Sequence, residues 1–143
     1  GGAFGVSHRG ASGFGVRVEL SVEHGTTTDP QLGAVSLTLG GATVVVERAW
    51  ALRWGTPALG VGVRGGVAGV REAEPRAREG MMPWGGSVLR GGVSLAIDGP
   101  WRVHVAVELG AAALPSVVWA EDRPVASVGP LWANLMIAGE IAP

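Results

Sequence analysis

The sequence predicts an all-β fold in which eight antiparallel strands run up and down and close into a barrel. Three observations predict it. Apolar and polar residues alternate with period two over runs of up to about ten residues, as strands with two different faces require. Turn residues punctuate those runs. No apolar stretch approaches the ~18 residues of a membrane-spanning helix, and no helical period is evident.

The elements follow in order. Residues 2–9 form a weak first strand. In the second, Phe14, Val16, Val18, Leu20 and Val22 alternate with Gly15, Arg17, Glu19, Ser21 and Glu23. A polar loop over 25–31 leads to a third, where Val35, Leu37 and Leu39 alternate with Ser36 and Thr38. Gly40-Gly41 reads as a two-residue hairpin. In the fourth, Val44, Val46, Trp50, Leu52 and Trp54 alternate with Val45, Glu47, Ala49, Ala51 and Arg53. Arg48 breaks this pattern by falling on the apolar side, as a bulge or membrane-boundary residue would. After Gly55-Thr56-Pro57, Leu59, Val61, Val63 and Val67 alternate with Gly60, Gly62, Arg64 and Gly66. Leu89, Val93, Leu95 and Ile97 alternate with Arg90, Gly92, Ser94 and Ala96. Asp98-Gly99-Pro100 then turns the chain into Trp101, Val103, Val105, Val107 and Leu109, interleaved with Arg102, His104, Ala106 and Glu108. The last strand sets Leu131, Ala133, Leu135, Ile137 and Ile141 against Trp132, Asn134, Met136, Ala138 and Glu140. Long links cover 72–85 and 111–129. An even strand count returns both termini to one side of a closed barrel.

Composition narrows the class. The 143 residues fit one domain, 1–143, and are 47% hydrophobic but only 16% charged, against about 25% charged in an average globular domain. Mean hydropathy is +0.32. All basic residues are Arg, scattered without a stripe, and net charge is −1, so no nucleic-acid partner is expected. Cysteine is absent, which removes disulfides and thiolate chemistry. No basic-then-apolar leader is visible before the first strand, as expected of a mature or trimmed chain.

Two barrels fit the alternation. In a soluble, lipocalin-like barrel the apolar face lines a ligand cavity; in a transmembrane β-barrel it meets lipid. Three features favour the second. The polar face is rich in small residues (Gly60, Gly62, Gly66, Gly92, Ala96, Ala106, Ala138), which suit the crowded interior of a narrow barrel. Its charges nearly balance: Arg17, Arg53, Arg64, Arg90 and Arg102 against Glu19, Glu23, Glu47, Asp98, Glu108 and Glu140. That is the make-up of a buried, paired network, since an unpaired charge there is costly. Trp54 and Trp101 flank the tight turns, and Trp84 and Trp119 sit in the long links, as two aromatic girdles at membrane interfaces would. The expected lumen network is thus Arg17, Glu19, Glu47, Arg53, Arg64, Arg90, Arg102, His104, Glu108 and Glu140. The expected lipid-facing residues include Val16, Val18, Val103, Val105, Val107 and Leu135.

The segment from about residue 57 to 143 resembles the end of small outer-membrane β-barrel proteins of Gram-negative bacteria. The likeness is one of layout: the Gly/Val strand Leu59 to Val70, a charged loop, the Asp98-Gly99-Pro100-Trp101 hairpin, a long loop with Pro115 and Trp119 to Val128, and a final alternating strand. Such proteins usually end in an aromatic residue, whereas this chain ends Ile141-Ala142-Pro143 and has no Tyr. The resemblance implies periplasmic turns at 55–57 and 98–100. It places the long loops 72–85 and 111–129 outside the cell.

No catalytic, metal or cofactor signature is found. His8, His24 and His104 show no H-x-x-x-H spacing, and no spacing identifies a Ser–His–acid triad. His104 is expected in the interior network. The mixed-sign run Arg71, Glu72, Glu74, Arg76, Arg78 and Glu79 reads as a solvated loop. The expected function is a non-enzymatic outer-membrane barrel, porin-like in fold but with its lumen filled, so that at most a narrow pore remains. Its partners are membrane lipids and a surface ligand or partner met through the loops 72–85 and 111–129. The alternative is the soluble barrel holding an apolar ligand.

Overall fold

The structure is a computed structural model that describes residues 1–29, 33–72, 79–114, 117–120, 123–127 and 130–141. Its strands are β1 (Gly2–Arg9), β2 (Phe14–Asp29), β3 (Gly33–Ala49), β4 (Thr56–Glu72), β5 (Glu79–Asp98), β6 (Trp101–Leu114), β7 (Val117–Ala120), β8 (Arg123–Ser127) and β9 (Leu131–Ile141). Seven of them form one antiparallel up-and-down sheet in the order β1-β2-β3-β4-β5-β6-β9, curled into a half-barrel. β7 and β8 pair only with each other, as a hairpin carried between β6 and β9. No helix among the described residues is long and apolar enough to cross a membrane.

The sheet has seven strands rather than eight because Gly40-Gly41 does not turn. Both glycines sit inside β3, paired to Val22 and Ser21 on one side and to Val67 and Gly66 on the other. β2 and β4 are long enough to flank β3 along its whole length. Full pairing on both edges then satisfies more backbone groups than a hairpin of two short arms. The links predicted at 72–85 and 111–129 shrink for the same reason. Residues 79–85 belong to β5, 111–114 to β6, and much of 115–129 to the β7–β8 hairpin. Most of the charged run from Arg71 to Glu79 lies outside the described residues.

Of the two tight turns predicted at the opposite end, the one at Asp98-Gly99-Pro100 is present, whereas that at Gly55-Thr56-Pro57 is shifted: Thr56 and Pro57 already belong to β4, and the chain turns between Leu52 and Gly55, which pair with each other. Gly99 takes a positive φ of 52° in the link from Asp98 to Trp101. Gly13, at φ 81°, closes the β1–β2 link; a Cβ there would stand 2.7 Å from the Ala49 carbonyl oxygen, so only glycine fits. That carbonyl lies close because the Ala49 amide donates to the Gly13 carbonyl at 2.9 Å.

Period two fixes which face each residue takes. The convex face carries Phe4, Val6, Phe14, Val16, Val18, Leu20, Val22, Val44, Val46, Leu59, Val61, Val63, Val67, Leu89, Leu95, Ile97, Val107, Leu109, Leu131, Leu135, Ile137 and Ile141, all exposed. Val103 and Val105 share this face and are half-buried. On β2, β4, β5 and β6 the band covers about nine residues, close to the 9–11 that a tilted strand needs to cross a bilayer. Beyond Gly40, β3 reverses its polarity. Thr38 is exposed on the convex side, where His24 Nδ1 meets its hydroxyl at 3.0 Å, while Leu37 and Leu39 turn inward and are half-buried. Apolar-out becomes apolar-in at one level of a single strand.

Candidate functional site

The concave face holds the charges. Arg17 (7% exposed), Glu47 (4%), Arg64 (5%), Arg90 (4%), His104 (2%) and Glu108 (1%) are buried beneath a surface whose valines and leucines are not. Within the apolar band, the polar alternates of β2, β3, β4, β5, β6 and β9 point inward, and the curl of the sheet brings opposite strands within side-chain reach.

Nearest the tight turns, Arg9 of β1 donates to Glu47 Oε1 at 3.1 Å. Arg17 stands between Glu47, at 3.5 Å from Nε, and Glu140 of β9, to which Nη2 donates at 2.9 Å. Further along, Arg90 of β5 grips Glu19 of β2 with both terminal nitrogens, Nη2 to Oε1 at 3.0 Å. Arg64 of β4 donates to Glu108 Oε1 at 3.0 Å and to Ser21 Oγ at 2.8 Å, and it pairs with Glu23. Apart from the contact between neighbours Arg17 and Glu47, these bonds join strands two to five places apart in the sheet, so they hold its curvature as well as neutralising charge. Charge-assisted, partly bidentate contacts of this kind are among the stronger polar contacts available.

Against Arg64 sits an aromatic pair. Trp84 lies 5.3 Å under the Arg64 guanidinium and meets Trp132 edge-on, centroids 5.9 Å apart at 86°. Cation–π and T-shaped contacts both suit the ring quadrupole. Room for the indoles comes from glycine: a Cβ on Gly110 would lie 2.0 Å from the Trp132 ring. Gly110→Val is therefore expected to destabilise the fold by about 1–3 kcal/mol, the usual range for overpacking. Unfolding midpoints in detergent should show this loss, and Trp132→Ala in the same chain should relieve most of it.

Most predicted lumen residues come together here, but two predictions are corrected. Arg53 and Asp98 are exposed and outside the network: β3 ends at Ala49, four residues before Arg53, and Asp98 is the last residue of β5, beyond a bulge at the turn. Arg102 faces inward at the rim and is half-buried. With Arg9, Arg48, Trp50, Leu52 and Thr56 it lines an open hollow of about 640 Å³ at the turn end. Of the expected girdles, Trp54 and Trp101 are exposed at the turn end, joined by Trp50. Trp84 is corrected: it is 4% exposed and faces the interior, because β5 begins at Glu79 and its period carries Trp84 inward. Trp119 lies on β7, and its side chain is outside what is described. Arg48 does lie on the convex face, stacked 5.1 Å over Phe14 and 5.7 Å over Trp50. These rings explain why a cation is accommodated there.

No family model, curated protein or solved structure matches this chain.

One constellation escaped sequence reasoning. Ser94 Oγ lies 2.9 Å from His104 Nδ1 and donates to Glu140 Oε2 at 2.9 Å. Serine, histidine and carboxylate meet, yet Ser94 and Glu140 both lie on the Nδ1 side of the ring, while Nε2 is buried without a hydrogen-bond partner. A nucleophile triad needs the serine on one ring nitrogen and the acid on the other. Here the serine proton points at the carboxylate. Ser94 and His104 are 5% and 2% exposed, so the arrangement acts as a further tie between β5, β6 and β9. Among the described residues no group of three or more metal-ligating side chains is assembled.

Proposed function

We propose that this chain is a non-enzymatic outer-membrane β-barrel protein whose convex face contacts lipid and whose filled interior leaves no wide pore. One observation carries the reading: an exposed apolar band runs across all seven sheet strands while the charges are buried and paired on the other face. A soluble protein rarely exposes a continuous apolar patch beyond a few hundred Å², and a lipocalin-like barrel needs the opposite orientation. Three further features support the same reading. The band has the length of a tilted spanning strand, Trp50, Trp54 and Trp101 rim its turn end, and β3 reverses polarity above it. The strand extensions on that side, with the β7–β8 hairpin, would stand clear of the bilayer and present a surface to ligands or partners.

Purification and reconstitution test it. The chain is expected to stay monodisperse only in detergent and to insert into phospholipid vesicles, with the strands protected from added protease. Insertion should give no porin-scale conductance, because the Arg–carboxylate ties and the Trp84–Trp132 pair fill the lumen. A monodisperse, vesicle-free protein in plain buffer would remove the membrane reading in favour of a soluble barrel.

A further inference from the structure

We propose that the seam between β1 and β9 receives one additional strand from a separate extended polypeptide segment. It would be about eight to eleven residues long, antiparallel to both edges, and would alternate apolar with small uncharged side chains. β1 and β9 end the sheet order and have no strand partner on their outer edges among the described residues. An odd number of alternating strands leaves these two edges pointing the same way. One antiparallel strand placed between them, running from the turn end to the loop end, pairs with both.

The edges are held to face each other. Arg17, one strand in from β1, reaches Glu140 on β9 at 2.9 Å. A second copy joined edge to edge would have to spread the sheet and break this tie and that between Arg90 and Glu19, which disfavours it as the occupant. β1 is exposed on both sides, including Ala3, Gly5 and Ser7 on the concave side, so among the described residues nothing covers the seam from within.

The neighbours define the occupant's chemistry. Outward, Phe4 (75% exposed) and Val6 face the gap from one lip, Leu135 and Ile137 (71%) from the other, so its convex side must be apolar. Inward, Arg9, Arg17, Arg64, Arg90 and Arg102 already match Glu19, Glu23, Glu47, Glu108 and Glu140, so a further charge would be left unpaired. Its concave side is therefore neutral, and small enough for a narrow lumen. Its length follows from the 8 residues of β1 and the 11 of β9. The inference does not depend on which solvent meets the convex face.

Two measurements test it. The chain lacks cysteine, so Val6→Cys/Ile137→Cys introduces the only pair. Strands flanking a third lie about 9.5 Å apart, beyond the ~7 Å limit for a disulfide. The pair should stay reduced under mild oxidant. With the unaltered chain in detergent, a synthetic eleven-residue peptide alternating Val with Gly and Ser should bind one-to-one by native mass spectrometry. A peptide of the same composition with the alternation scrambled should bind at least tenfold more weakly. Ready disulfide formation would mean that β1 and β9 close directly; equal binding of the two peptides, no binding, or a dimer that excludes peptide would each overturn the proposal. Vesicle insertion is measured separately, so a failure here leaves the membrane reading standing.

Discussion

Arg64→Met is expected to be among the most damaging single changes in the interior, lowering stability by about 3–5 kcal/mol, the usual cost of breaking a buried pair from one side. Glu108 is 1% exposed and has Arg64 as its ion-pair partner among the described residues. Truncating the guanidinium strands that carboxylate and also removes the tie to Ser21, the pair with Glu23 and the stacking on Trp84. The double change Arg64→Met/Glu108→Leu should recover most of the loss, since an apolar pair of similar volume needs no charge partner. Urea titrations of the refolded protein in detergent, arranged as a double-mutant cycle, measure both. A single-variant cost below about 1 kcal/mol would mean that water reaches Glu108 and that the network is not sealed.

The second large effect concerns the convex face. Val63 is 63% exposed near the middle of the band, and Ile97 is 66% exposed beside the Asp98–Trp101 turn. On a lipid-facing wall, Val63→Arg should cost about 2–4 kcal/mol, whereas Ile97→Arg, near the interface, should cost about 0–1 kcal/mol. On a water-facing wall neither change should exceed about 0.5 kcal/mol. Refolding equilibria in phospholipid vesicles separate the two cases by the difference between the variants. A depth-independent result would argue that the valines meet water.

The polar network was legible where alternation was long. Arg17, Glu19, Arg64, Arg90, His104, Glu108 and Glu140 each fall on the polar register of an extended run, and geometry brings them to one face. Where a strand extends beyond its evident alternation, the local pattern misleads. β5 begins at Glu79, so stepping back by two from Arg90 reaches Val88, Gly86 and Trp84 and turns that indole inward; a loop reading of 72–85 hid this parity. Arg53 failed in the opposite way, because parity was carried past Ala49, where β3 ends. Ser94 was invisible as a partner, since nothing local says that its neighbours are His104 on β6 and Glu140 on β9.

By itself, the sequence determined the strand character, the two unlike faces and the turn at Asp98-Gly99-Pro100, because period two and glycine's backbone freedom act over a few residues. Tertiary structure alone decided that Gly40-Gly41 runs straight, that the sheet has seven strands and two facing edges, and which arginine meets which carboxylate. Those outcomes depend on pairing with strands distant in the chain and on the curl of the sheet, which no local pattern encodes.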